Sequence, residues 1–93
     1  MLVWWPRVDG GDPHAGHVET SLMLALAPDE VRLDRAVAGP VPAIGDLVRH
    51  GVLPLSPTGV LGDPTEATAE QGQRLLSQLV GQLADAVAEW VRR

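Results

Sequence analysis

Apolar residues near the C-terminus recur at steps of three and four, which is the spacing of one face of an α-helix. The stripe runs through Leu76, Leu79, Leu83, Val87 and Trp90. Two start signals compete: "DPTE" at 63–66 joins a capping residue, a proline and a glutamate, while Thr68 and Gln71 form a second capping box. Either start predicts one helix of about six turns, whose stripe needs a covering surface.

Two further segments favour helices. Periodic apolar positions predict a helix from His17 to about Leu26, where Pro28 ends it, because the residue before a proline avoids helical backbone angles. A short helix is predicted at roughly Pro42–Arg49, closed by Gly51. The glycine- and proline-rich residues 6–16 between "LVWW" and the first helix are predicted to form a loop.

Short apolar runs favour strands elsewhere. "LVWW" at residues 2–5, stopped by Pro6, is typical of a buried strand, and a second strand is predicted at Val52–Leu55. In "DEVRLDRAVAG", alternating apolar and charged residues favour a short extended segment. The sequence therefore predicts an α/β fold whose last helix covers a sheet. Trp4 and Trp5 are expected in the core, and the pattern does not decide whether one of them lines a pocket.

Composition narrows the class of protein. The chain has 93 residues, enough for one domain or a part of one, and 45% of them are hydrophobic, as in globular proteins. The net charge is −5, and the arginines form no basic stripe, so we expect no nucleic-acid partner. No apolar run reaches the ~18 residues of a membrane span, and no signal peptide is expected because a basic N-terminal region is missing. The absence of cysteine excludes disulfides and a thiol nucleophile and is typical of a cytoplasmic protein.

The predicted loop carries the candidate chemistry. "GDPHAGHVETS" places Asp12, His14, His17 and Glu19 within eight residues. Imidazole is the usual group for transferring a proton near neutral pH, so His14, held between Pro13 and Gly16, is suited to protonate a leaving group.

Each of these residues also has a purely structural interpretation. His14 could be a surface loop residue, and Asp12 could form an Asx turn before the proline that follows it. Glu19 lies in a first helical turn, where the helix dipole favours a carboxylate. His17 is interpreted as an exposed helix-start residue and Asp63 as a turn and capping residue.

Two motifs connect the chain to a known family. "DPHAGHVETS" at 12–21 resembles the D-x-H-A-G-x-x-E-T-S signature of the creatininase family of metal-dependent amidohydrolases. About 45 residues later, "GVLGDPTEATAEQGQRLL" is similar to a second landmark of that family. Within the family, "WWPR" and "LSPTGVLGDP" most resemble the peptidases of the mycofactocin biosynthesis system.

The resemblance implies a fold and an activity. It implies that residues 1–93 are the C-terminal portion of a three-layer α/β/α domain, which hydrolyses amide bonds and, in the peptidase subfamily, releases a short C-terminal peptide. The family uses divalent metal ions (Zn, Mn or Fe), whose main ligands precede the D-x-H-A-G motif, so we expect this chain alone to hold none. Family members are commonly oligomeric, which implies a homo-oligomer.

The resemblance also assigns roles to residues of the loop. His14 and Glu19 match catalytic positions, while Asp12 and His14 match substrate-binding positions. Two hypotheses follow: the chain belongs to an active amidohydrolase or peptidase acting on a peptide or small amide, or it is an inactive remnant or a piece that works only with a separate N-terminal half.

Overall fold

The computed structural model describes all residues from Met1 to Arg93. Its α-helices are α1 (His17–Leu26), α2 (Ile44–His50) and α3 (Ala69–Val91). Single 3-10 turns lie at Pro28–Glu30 and Leu33–Arg35. No strand is present, and the one β-type pairing is an isolated antiparallel bridge between His14 and Leu61.

Both predicted strands are wrong, so the structure of this chain does not confirm the α/β class. Residues 2–5 form no backbone hydrogen bond, because no second strand lies beside them to supply donors and acceptors. Residues 52–55 form a turn instead, in which the carbonyl of Val52 accepts hydrogen bonds from the N–H groups of Leu55 (3.1 Å) and Ser56 (2.8 Å). Pro54 lies inside this segment and has no N–H to give to a ladder.

The prediction for α1 is confirmed at both ends. The helix begins at His17 and stops at Leu26, and Pro28 then opens the first 3-10 turn. The extended segment predicted after it is only partly correct, because residues 33–35 form the second 3-10 turn.

The short helix α2 begins two residues later than predicted. Ala43, between Pro42 and the helix, has extended backbone angles (φ −62°, ψ 145°), so the helix starts at Ile44. It ends at Gly51, whose φ of 73° favours glycine and whose N–H donates to the carbonyl of Leu47 at 2.9 Å.

Of the two predicted start signals for α3, the capping box at Thr68 and Gln71 is the one at which the helix begins. The hydroxyl oxygen of Thr68 accepts a hydrogen bond from the backbone N–H of Gln71 at 3.1 Å, as an N-cap residue does. The first signal forms a separate turn, in which the carboxylate of Asp63 accepts hydrogen bonds from the backbone N–H (3.0 Å) and the hydroxyl (2.5 Å) of Thr65.

The N-terminal half of α3 packs directly against α1. The closest approach is at Gly72, where an added Cβ would overlap the backbone carbonyl of Ser21, a fully buried residue. A glycine is therefore required for the two backbones to lie this close. Further along, the side-chain amide of Gln82 donates to the carbonyl of Arg7 at 3.1 Å and holds the N-terminal segment against α3.

The prediction that α3 covers a sheet is consequently wrong, since it covers α1 and much of its stripe is exposed. Leu83, Val87 and Trp90 have 41%, 40% and 48% of their surface exposed. Trp5, predicted to lie in the core, is 67% exposed.

The whole chain exposes more surface than a compact protein of its size. Its accessible area is 6709 Å², whereas a compact monomer of 9.9 kDa exposes about 5,200 Å². The difference, roughly 1,500 Å², is about twice the ~800 Å² that one partner contributes to a standard stable interface. None of the three α-helices combines the length and the apolar character of a membrane-spanning segment.

Candidate active site

The isolated bridge brings the two sequence motifs together. The N–H of His14 donates to the carbonyl of Leu61 at 3.2 Å, and the N–H of Leu61 donates back to the carbonyl of His14 at 2.9 Å. Leu61 is fully buried, and the next residue, Gly62, accepts a hydrogen bond from the N–H of Gly39 at 2.7 Å. His14 therefore lies on a loop whose backbone is fixed to Leu61 and Gly62, two buried residues of the second motif.

The carboxylate of Asp12 joins this loop to α1 and to the second motif. One oxygen accepts hydrogen bonds from the backbone N–H groups of His17 (2.5 Å) and Asp63 (3.1 Å), and the other accepts from Val18 (3.2 Å). His17 and Val18 are the first two residues of α1, so Asp12 caps the helix from outside it. The Asx turn that the sequence allowed for Asp12 is not observed, because its carboxylate bonds to these three N–H groups instead.

The environment of Asp12 also favours its ionised form. Partial burial raises the pKa of this carboxyl, but the three backbone N–H donors lower it by more, so the pKa lies below its ordinary value. A Cβ added at Gly16 or Gly62 would overlap the same carboxylate, so both glycines leave room for Asp12. Its role in capping is evident, and its predicted contact with substrate stays a prediction.

His14 and Glu19 lie close together beside the carboxylate of Asp12. His14 Nδ1 lies 3.9 Å from Glu19 Oε2, and both side chains are about half exposed (51% and 53%). The same Glu19 oxygen accepts a hydrogen bond from the backbone N–H of Ala15 at 2.5 Å, and Ala15 has a positive φ of 51°. A first-turn carboxylate thus holds the backbone immediately after His14, and the imidazole is left accessible to a substrate.

The other candidate residues lie outside this group. His17 is half-buried, not exposed as interpreted from the sequence, and lines a separate cavity of about 360 Å³ with Gln71 and Arg74. Trp4 and Trp5 border a cleft that His14 does not line. The predicted turn role of Asp63 is confirmed, but its predicted capping role is wrong, because Thr68 caps α3. The pKa of Asp63 lies below its ordinary value because the hydroxyl and N–H of Thr65 donate to its carboxylate.

The residues present do not by themselves fit the divalent metals that the resemblance implies. A catalytic zinc ion usually has three protein ligands. No group of three or more His, Asp or Glu side chains in the chain lies close enough together to hold a metal ion. Of the loop side chains, Asp12 is already bonded to three backbone N–H groups, which leaves His14 and Glu19.

Sequence reasoning missed Ser56, a buried residue that shapes the segment leading into Leu61. The hydroxyl of Ser56, which is 1% exposed, donates to the carbonyl of Val60 at 2.6 Å and so shapes the segment that leads into Leu61. The sequence signal that could have identified Ser56 is "SPTG" at 56–59, because a serine followed by proline and glycine is typical of a turn held by a side chain.

Known proteins with similar sequences carry two descriptions, creatinine amidohydrolase and mycofactocin precursor peptide peptidase. A family model for creatinine amidohydrolase matches residues 3–87. A mycofactocin precursor peptide peptidase from Mycobacterium tuberculosis is 47% identical in an alignment of 93 positions, which covers 95% of this chain and 37% of that protein. A creatinine amidohydrolase from Pseudomonas putida is 42% identical over 81 residues, covering 82% of this chain and 30% of that protein. This chain thus spans about a third of the length of the relatives it matches.

Two solved structures have a similar fold. A protein described as a creatinine amidohydrolase from Bacteroides fragilis is 33% identical, with a TM-score of 0.64, over 80% of this chain and 32% of that one. A mutant creatininase of the Zn–Zn type is 39% identical, with a TM-score of 0.59, over 80% of this chain and 30% of the other. The folds that these neighbours adopt are creatininase-like. With a family match over nearly all its residues and the two motifs joined at His14 and Leu61, the chain belongs to the creatininase family.

Proposed function

We propose that this chain forms one side of the active site of a hydrolase that cleaves an amide bond in a peptide. The observation that carries the proposal is the half-exposed imidazole of His14 on a loop fixed at Leu61 and Asp12. A proton donor must keep its position during the reaction and must remain accessible to the leaving group, and this loop meets both needs.

In the proposed reaction, water attacks the amide carbonyl and the C–N bond breaks. The leaving nitrogen takes a proton, and His14 is the residue of this chain suited to give it. Glu19 Oε2 lies 3.9 Å from His14 Nδ1. We propose that this carboxylate bonds to Nδ1 when substrate is present and so leaves Nε2 free to face the leaving group. The Asp12 carboxylate keeps the loop in place, and we propose that it also contacts the substrate.

Divalent metal ions would polarise the carbonyl and activate the water in such a hydrolase. One structural neighbour is a Zn–Zn enzyme. We propose that the metal ligands come from polypeptide outside these 93 residues. The peptide substrate is inferred from the mycobacterial relatives, whose description names a precursor peptide peptidase.

The second candidate is a piece that acts only when bound to the remaining part of the fold. It is supported by the roughly 1,500 Å² of excess exposed surface and by the exposed side chains of Leu83, Val87 and Trp90 on α3. In this form of the proposal His14 has the same role, and activity depends on the second polypeptide.

Both candidate functions are tested by mixing the chain with the missing part of the fold. The purified chain is assayed for cleavage of a short peptide, alone and after mixing with the part of the Mycobacterium tuberculosis relative that it does not match. We expect fewer than two tightly bound divalent metals per chain alone, and cleavage only in the mixture. Cleavage by the chain alone would refute the dependence on a second piece. A stable mixed complex with bound metals and no cleavage of any peptide would refute the hydrolase.

A further inference from the structure

Both backbone hydrogen-bonding groups of Val60 are held by side-chain hydroxyls. The N–H of Val60 donates to Thr58 Oγ1 at 3.3 Å, and the carbonyl of Val60 accepts from the hydroxyl of Ser56 at 2.6 Å. The two hydroxyl oxygens lie 3.2 Å apart. Since Ser56 is fully buried, water does not compete for its proton.

The directions of these bonds follow from the number of protons available. A hydroxyl has one proton to donate. Ser56 gives its proton to the carbonyl of Val60, so Thr58 is the donor in the contact between the two hydroxyls. Thr58 in turn accepts from the N–H of Val60. The three bonds form a closed ring in which each hydroxyl both donates and accepts, and bonds linked in this way strengthen one another.

Gly39 holds the same segment at its other end. The N–H of Gly39 donates to the carbonyl of Gly62 at 2.7 Å, and a Cβ added at Gly39 would overlap the carbonyl oxygen of Val60. The backbone is therefore fixed on each side of Leu61, by the hydroxyl ring before it and by Gly39 after it.

Leu61 connects this support to His14. Its N–H and carbonyl are both bonded to the backbone of His14. The imidazole itself is half exposed, and its distance of 3.9 Å from Glu19 is too long for a hydrogen bond. The position of the imidazole therefore depends on the backbone of the loop, and through Leu61 on the segment behind it.

We propose that Ser56 and Thr58 are positioning residues for His14, which act through Val60 and Leu61. The inference rests on the proposed function, because it concerns the residue that would protonate the leaving nitrogen. Ser56 is buried and its proton is bonded to Val60, so it acts on the reaction without touching the substrate.

Amide hydrogen exchange in the intact 93-residue chain, followed by NMR, tests the positioning without catalysis. Ser56→Ala removes one hydroxyl, and Thr58→Val removes the other while keeping the branched shape of the side chain. Each change breaks two bonds of the ring, so we expect the amides of His14 and Leu61 to exchange about tenfold faster, with the amides of α3 unchanged. Thr58→Ser keeps the hydroxyl and Ser77→Ala removes an exposed one from α3, so both should exchange as the parent chain does.

The imidazole resonances separate positioning from a general loss of stability. The ring protons of His14 should shift in Ser56→Ala and Thr58→Val, while those of His50, on α2, keep their positions. Equally faster exchange at His14 and throughout α3 would mean that the whole chain is destabilised. Unchanged exchange at His14 and Leu61 would mean that the ring does not hold the loop. Either result overturns the proposal.

Peptide cleavage by the reconstituted mixture tests the effect on the reaction. Because misplacing a reacting group by about 1 Å costs up to ~10²-fold in rate, we expect Thr58→Val to lower kcat by about 10- to 100-fold with KM unchanged, and Thr58→Ser to keep the parent rate. If exchange at His14 is faster in the variants but no mixture cleaves any peptide, the hydrolase is wrong and the hold of the ring on His14 stands. If Ser56→Ala and Thr58→Val both cleave at the parent rate, the positioning role is wrong and the hydrolase stands.

Discussion

Replacing Gly72 by alanine tests the contact between α1 and α3. The added Cβ would overlap the backbone carbonyl of Ser21 and would lie 2.9 Å from the Cβ of Ala25. Since a backbone carbonyl cannot rotate away as a flexible side chain can, the helices must separate, by on the order of 1 Å, to restore van der Waals contact. A gap of that size forfeits a quarter to a half of the attraction between facing atoms.

The free-energy change has two opposing parts. Alanine is favoured over glycine in a helix by about 1 kcal/mol, and overpacking at a close contact costs about 1–3 kcal/mol or more. Because a backbone atom is involved, we expect the upper part of that range and a net loss of about 1–2 kcal/mol for Gly72→Ala. In a domain of this length that loss lowers the melting temperature by roughly 5–15 °C.

Gly81→Ala is the matched control. Gly81 lies in the same helix, and nothing is within 4 Å of a Cβ built there. Alanine should therefore stabilise the chain by up to about 1 kcal/mol and raise its melting temperature. Thermal unfolding followed by circular dichroism measures both variants. If Gly72→Ala is as stable as Gly81→Ala, α1 and α3 do not meet at Ser21.

The remaining predictions concern the caps and the carboxylates. Asp12→Ala leaves three backbone N–H groups without their acceptor and should cost about 1–3 kcal/mol in urea unfolding. Asp9→Ala, which removes an exposed carboxylate outside every helix that accepts no hydrogen bond within the chain, should change stability by less than about 0.5 kcal/mol; equal losses would contradict the role of Asp12 in joining α1 to Asp63. The pKa values of Asp12 and Asp63 are lowered in the folded chain, so the stability they contribute is present above about pH 4 and lost as pH falls below it; an unfolding midpoint that rises on acidification from pH 4 would contradict this. Thr68→Ala should cost about 1 kcal/mol through loss of the cap, and Ser77→Ala, on an exposed face of the same helix, almost nothing.

Local signals predicted the helices well because each is encoded by adjacent residues. Pro28 ends α1, Gly51 ends α2 and Thr68 begins α3 through backbone effects that need no distant partner. The family was likewise predictable from two motifs. The choice between two start signals for α3 was not, since Asp63 and Thr68 are both good caps, and only the bonding of Asp63 to Thr65 separates them.

The parts that depend on distant contacts were not predictable. "LVWW" has the composition of a strand, but a strand also needs a neighbour to pair with, and the chain supplies none. The periodicity of α3 revealed an apolar face without revealing its partner, which is α1 over the first half only. Similarly, sequence reasoning placed Asp12 near a substrate but could not show that its carboxylate joins α1 to Asp63, 51 residues away.

The role of His14 is tested most directly by comparing peptide cleavage by His14→Ala and His50→Ala in the reconstituted mixture, with bound metal measured in the same samples. His50 lies at the end of α2, away from the loop, and is the matched histidine control. We predict that His14→Ala lowers the cleavage rate by about 10²–10⁴-fold with its metal content unchanged, and that His50→Ala keeps both. A His14→Ala protein that cleaves at the parent rate, or that loses its metal together with its activity, would contradict the role of His14 as proton donor.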